Sequence, residues 1–245
     1  MIRLNMMVEG QTEESFVNRV LKPHLLKLDI VPTPRLVFTG RKFGRTYRGG
    51  VTRYGNFKWD LLLWMREDSS ENTRFTTMLD LYGLPGDFPG QAQVRRINNP
   101  MKRVHILEHA MSDDIADWRL IPYIQLHEFE ALLLSDAEQF GRFFIEYKDR
   151  ANQLASMVRN YSSPEYINGG EDTAPSKRIM YFIPGFGRMK AIAGPQIASA
   201  IGLEKMRQCC MHFNDWLEQL ERLSPLSAAS QASLRMPRQE KGNGQ

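Results

Sequence analysis

Residues 2–14 read IRLNMMVEGQTEE, and the fold turns on how this stretch is divided. Ile2, Leu4, Met6 and Val8 alternate with their neighbours at the two-residue period of a strand. From Glu13 the period changes: Phe16, Val17, Val20, Leu21, Leu25 and Leu28 fall on one face of a helix, bent at Pro23. The junction carries Glu9, Glu13 and Glu14 within six residues. Glu13 and Glu14, in the first turn of a helix capped by Thr12, suit the helix dipole and need no further reason. Glu9 is still attached to the strand, and capping does not explain it.

Working outward, "FKWDLLLWMRED" (57–68) reads as a second helix, and "RFTTMLD" (74–80) as a strand that ends sharply at the turn-rich "LYGLPGDFPG". "LIPYIQL" (120–126) carries Pro122, which confines it to a sheet edge or a short strand. After residue 127 the pattern is mostly helical: 128–147, 148–160, 195–203 and 215–223. Strands alternating with helices predict an α/β fold, a small parallel sheet flanked by helices, with a mainly helical C-terminal part. The expected division is an α/β domain at 1–135, helices packed on it at 136–223, and a disordered polar tail at 224–245. His24, on the apolar face of the first helix, is expected to be a satisfied core histidine.

Composition narrows the class. The chain has 245 residues, ordinary apolar and charged fractions and a net charge of +4. It has no run of 18 apolar residues, and Arg3 and Glu9 interrupt any signal-peptide core, so no membrane association is expected. The two cysteines, Cys209 and Cys210, are adjacent and lack zinc spacing, which suggests a reducing, cytoplasmic setting. Between Ile30 and Trp59 stand seven basic residues (Arg35, Arg41, Lys42, Arg45, Arg48, Arg53, Lys58) and no acid, with aromatics and glycines interleaved. A basic loop of this kind suits a phosphate backbone and stacked bases. It equally suits a solvated loop whose aromatics pack on the domain.

In a parallel sheet, ligands gather at the carboxyl ends of the strands. Two strands end there in acids, Glu9 and Asp80, each followed by a glycine-bearing turn. Hard oxygen ligands from separate strands suit Mg2+ or Mn2+, with Glu13 one turn on as a third oxygen or a general base.

"VEGQTEE" resembles the opening motif of TOPRIM domains, especially those of overcoming-lysogenisation-defect-type nucleases. The chain to about Leu223 resembles the bacterial domain-of-unknown-function family numbered 4276, in "VEGQTEESFVNRVLKPHL", "TTMLDLYGLPGDFPG", "RLIPYIQLHEFEALLLSD", "APSKRI" and "HFNDWLEQLE". The resemblance implies a TOPRIM-like fold, with Glu9 and Asp80 matching metal-binding acids. It also implies an ABC- or SMC-like ATPase partner and a setting in anti-phage defence. A TOPRIM strand usually ends Asp-x-Asp, whereas "DLYG" places Tyr82 at the second aspartate. Glu128 and Glu130 are the candidate replacements: they point together if extended and about 200° apart in a helix, and Glu128 ranks first.

Two further patterns touch metal chemistry. "HEFEA" begins like HExxH, but Ala131 replaces the second histidine. "HILEH" (His105, Glu108, His109) fits the H-x-x-E-H pattern, without a clear third ligand downstream. In "TAPSKRI", Lys177 and Arg178 fall near the positive end of a helix capped by Thr173 or Ser176, where a bound phosphate would offset their charge. "GFGRMK" adds Arg188 and Lys190 on a glycine loop. His212 is expected to do no more than pack.

The reading that results is a Mg2+- or Mn2+-dependent TOPRIM-like nuclease. Glu9, Asp80, Glu13 and Glu128 or Glu130 form its site, and Arg41, Lys42, Arg45, Arg48, Arg53, Lys177, Arg178 and Lys190 contact DNA or RNA. The alternative is a degenerate adaptor that binds the ATPase or nucleic acid without cleaving it. A homo-oligomer is left open.

Overall fold

A computed structural model describes residues 1–42, 45–48, 50–167 and 173–226, with only the backbone course for 38–48. The elements run β1 (Ile2–Val8), α1 (Gln11–Phe16), a π turn (Val17–Leu21), α2 (Lys22–Leu26), β2 (Ile30–Leu36), β3 (Phe38–Lys42), β4 (Arg45–Arg48), α3 (Tyr54–Glu67) and β5 (Thr73–Asp80). They continue with α4 (Gln91–Val94), α5 (Pro100–Ile115), β6 (Leu120–Ile121), β7 (Ile124–Gln125), α6 (Glu130–Leu133), α7 (Gln139–Phe143) and α8 (Lys148–Val158). The last four are α9 (Pro175–Phe182), α10 (Phe186–Ile201), α11 (Leu203–Cys209) and α12 (Met211–Glu221).

The main sheet has the order β2-β1-β5-β6, with β7 also on β5, and every pairing in it is parallel. The expected α/β architecture with a parallel sheet and a helical C-terminal part is therefore present. One core packs Leu4, Met6 and Val8 against Phe16, Phe129, Phe213 and Trp216. The other packs Met7, Phe75 and Leu79 against Phe57, Leu61, Leu107 and Met111. Helices thus cover both faces, as an all-parallel sheet requires.

Local details depart from expectation for identifiable reasons. The residue that precedes and caps α1 is Gly10, not Thr12, and no side chain caps the helix. The bend near Pro23 is a π turn just before the proline, which then occupies the first turn of α2 and needs no amide donor there. Residues 30–59 are not one loop: Ile30–Leu36 is an edge strand, Phe38–Lys42 and Arg45–Arg48 form an antiparallel hairpin, and α3 follows. Arg35 is spent on Asp60, 2.8 Å away, and Lys58 on Asp114, also 2.8 Å. Pro122 splits 120–126 into two short bridges, and 128–147 breaks into short α and 3-10 turns. "GFGRMK" is the first turns of α10 rather than a loop. His24 is a third exposed and pairs with Glu221 at 2.6 Å. Phe43, Gly44, Gly49, 168–172 and the tail from 227 lie outside the described residues.

A buried polar bond helps lock the C-terminal helices onto the sheet. Trp216 Nε1 donates to Thr76 Oγ1 at 2.9 Å, and that hydroxyl donates to Ile121 O at 2.6 Å. Replacing Thr76 with the isosteric valine leaves the indole N–H unsatisfied in the core. The expected loss is about 2 kcal/mol in urea unfolding, whereas Thr76→Ser, which keeps the hydroxyl, costs clearly less.

Candidate metal centre

Parallel pairing of β1 and β5, with Val8 opposite Met78, places Glu9 and Asp80 side by side at the carboxyl edge. Glu9 Oε2 accepts from Asp80 N at 2.9 Å, and Asp80 Oδ1 accepts from Phe129 N at 2.9 Å. Glu9 lies against Gly83, where an added Cβ would stand 2.7 Å from Glu9 Oε2. Glycine is there to make room for a carboxylate.

Glu13 enters from α1, and only 5% of it is exposed. Glu130, the first residue of α6, is fully buried. Its partner is Lys190 of α10, Nζ to Oε1 2.9 Å, while Oε2 has no partner among the described residues. Lys190 reaches this point because α10 packs close to α1: Gly194, one turn on, lies so near that an added Cβ would be 3.2 Å from Thr12 Cγ2.

The charges report the crowding. Burial raises the Glu9 carboxyl, with Glu128 and Glu130 adding to the rise and the Asp80 amide and Lys190 opposing it. Burial, then Glu9, raises Glu13. Burial, then Glu9, Glu13 and Glu130, holds Asp80 well above the carboxylate range. Burial pushes Glu130 up to about 7 despite Lys190. Burial works against the Lys190 charge, but Glu130, with Asp80 and Glu128 behind it, keeps the ammonium above its ordinary value.

Glu128 and Glu130 part company. His127 takes φ 64°, a left-handed conformation uncommon for a side-chain-bearing residue, and turns the chain between β7 and α6. Glu130 then points into the cluster, while Glu128 Oε2 accepts from Ser176 N at 3.0 Å in the first turn of α9. The anion at that helix end is thus the chain's own carboxylate, and the cap is neither Thr173 nor Ser176. Arg178 folds back, its Nε donating to Thr173 O at 2.9 Å, and Lys177 and Arg53 are exposed. Lys190, expected on a nucleic-acid surface, lies in the acidic cluster instead.

Tyr82, in place of a second strand-end aspartate, has its ring 5.3 Å from that of His127. Its buried hydroxyl lacks a partner among the described residues. The basic hairpin stands beside the site: Val37 N donates to Val8 O at 3.0 Å, and Gly50 N to Glu9 O at 2.9 Å, so both its feet are pinned at the end of β1. The side chains of Arg41, Lys42, Arg45 and Arg48 lie outside the described residues.

The stretches that build this edge, from Val8 through the turn after Asp80 to α12, fall inside one family match. A family profile described as "Domain of unknown function (DUF4276)" covers residues 8–221. The chain belongs to the DUF4276 family. A search of curated proteins gave no match. Among solved structures, the fold is similar to the C-terminal region of the Burkholderia pseudomallei OLD protein. That likeness has 16% identity and a TM-score of 0.44, over 91% of this chain and 98% of that one. No helix among the described residues is long and apolar enough to cross a membrane.

As a donor set, Glu9, Glu13, Asp80 and Glu130 fit a hard divalent cation: all offer oxygen, and Glu130 Oε2 is buried without a partner among the described residues. No three of these acids bring ligand oxygens within 4.8 Å of one another among the described residues, so a bound ion would draw them together. Metal-free protein should show the strain of keeping them apart. Folded Glu130 holds its proton to about pH 7, against about 4.5 unfolded, so its contribution is present below pH 4.5 and lost as pH rises through 7. Glu130→Gln should flatten that loss and be the more stable form at pH 8, by up to about 3 kcal/mol in urea unfolding with chelator. Gly83→Ala should displace Glu9 and weaken Mn2+ binding, read by titration calorimetry.

Proposed function

We propose that this DUF4276 chain is a metal-dependent nuclease of TOPRIM type, using Mg2+ or Mn2+ on DNA or RNA. The observation that carries the reading is the convergence of Glu9, Asp80, Glu13 and Glu130 at the carboxyl edge, with Glu130 fully buried and its Oε2 without a partner among the described residues. Glu9 and Asp80, with Glu13 and Glu130, would hold the ion, which when bound polarises a scissile phosphate and lowers the pKa of coordinated water. Glu13, with its raised pKa, suits transfer of a proton at the attacking or leaving oxygen. Lys190 sets an ammonium beside the acids, where it can neutralise a phosphate oxygen. Glu128 keeps α9 in place and positions rather than ligates. Arg41, Lys42, Arg45 and Arg48 on the hairpin, with Arg53 and Lys177, would hold the backbone without reading sequence. Arg178 steadies the α9 end. The family resemblance adds an ABC- or SMC-like ATPase partner and a role in antiviral defence, and the adjacent cysteines without zinc spacing suggest a cytoplasmic setting.

A second reading has its own support. Lys190 already gives Glu130 a counter-charge, and Tyr82 replaces a ligand, as a degenerate adaptor would have it. The two part experimentally. In a nuclease, Mg2+ or Mn2+ at ten times Kd adds about 1.4 kcal/mol, or roughly 3–6 °C in Tm. That rise should vanish in Glu9→Ala. Asp80→Asn, whose Oδ1 can still accept from Phe129 N, should keep the fold and lower nucleic-acid cleavage at least about 100-fold. An unshifted Tm, together with Asp80→Asn matching wild type in every cleavage and binding assay, would favour the adaptor.

A further inference from the structure

The motif HILEH (105–109) lies on α5, and the fold divides it. His109 faces solvent and pairs with Asp113, Nδ1 to Oδ2 3.0 Å. His105 and Glu108, three residues apart on one helical face, meet His212, the second residue of α12. These three form the group of histidine, cysteine and acid side chains among the described residues whose ligand atoms all lie within 4.8 Å of one another.

The details favour ligation over packing. His212 Nε2 lies 2.9 Å from Glu108 Oε1 and 3.1 Å from Ile124 O. The two imidazole centres are 5.3 Å apart. Two imidazoles bound tetrahedrally, at a metal–nitrogen distance of about 2.0 Å, have ring centres about 5 Å apart, so these rings already stand at ligating separation. His212 is held from behind: its ring stacks on Tyr123 at 5.1 Å, and its backbone N donates to Glu165 Oε2 at 3.1 Å. Glu108 is oriented as well, since Oε1 accepts from Ile124 N at 2.8 Å, leaving its second oxygen outside that bond. His105 is exposed, so the group borders solvent on that side.

The geometry points to a zinc-class metal site made by His105, Glu108 and His212, which ties α5 to α12 around the sheet edge at β7. Two imidazoles and one carboxylate prefer Zn2+ or Co2+ to Mg2+, the reverse of the preference of the carboxylates at Glu9 and Asp80. On binding, the ion takes the place of the proton on His212 Nε2, which passes to solvent. The site shares no residue with the acidic centre and does not depend on the nuclease reading.

The test uses the full chain, stripped of metal with chelator and titrated with Co2+ and then Zn2+. The expected result is one Co2+ per chain with the visible absorption of a low-coordinate ion, which Zn2+ abolishes, distinct from any weakly absorbing six-coordinate Co2+ at the acidic centre. His105→Ala, a change at an exposed side chain, should weaken Co2+ binding at least about 10-fold and remove the Zn2+-dependent rise in Tm. Glu9→Ala should keep the low-coordinate Co2+ absorption of wild type. Folded protein that takes up no Co2+ at micromolar concentrations overturns the inference. So does unchanged binding in His105→Ala, or a loss confined to Glu9→Ala.

Discussion

The rest of the structure answers one constraint: parallel pairing of β1 with β5 sets Glu9 and Asp80 side by side at the same sheet edge. Burial and neighbouring acids together oppose ionisation of both carboxyls, which is why Asp80 is held well above the carboxylate range. Several features offset this together. Each acid takes a backbone N–H, from Asp80 and from Phe129, and Gly83 leaves the space that Glu9 fills. Lys190 brings the opposite charge from a helix more than a hundred residues along the chain.

The helical C-terminal part is therefore the other wall of the site. Helix α10 must approach α1 closely for Lys190 to reach Glu130, and Gly194 is the residue that permits it. Helix α12 fixes the opposite flank through Trp216 and Thr76. The apolar residues of β1 share one core with those of α12, so loosening these helices would expose the acids that the sheet alone cannot neutralise.

Much of this was legible in the sequence where cause and effect are local. Alternation marked β1, and covalent adjacency put Glu9 at its end; the same logic reached Asp80. Where the outcome depended on distant packing, the sequence was silent. Glu128 and Glu130 separate because His127 takes a left-handed conformation, which no turn residue announces. Lys190 was misplaced because glycines 185 and 187 suggested a loop, whereas buried Phe186 and Ala193 hold the segment in a helix. His212 gave no sign of its meeting with Glu108, since the partners are 104 residues apart.

On the nuclease reading, the same charge excess sets an order of events. A phosphate backbone drawn to the basic hairpin arrives beside four carboxyl groups and one ammonium, and Lys190 is already engaged by Glu130. Each of these acids that ionises opposes the last approach of the phosphate, so a divalent cation binds before the substrate or together with it. Glu130 sharpens the dependence, because its proton is held to about pH 7 in the metal-free state. An arriving cation has to displace that proton, which couples metal affinity to pH in the neutral range. Tyr82 fits this picture without supplying charge: a neutral hydroxyl where another aspartate would stand adds nothing to the repulsion.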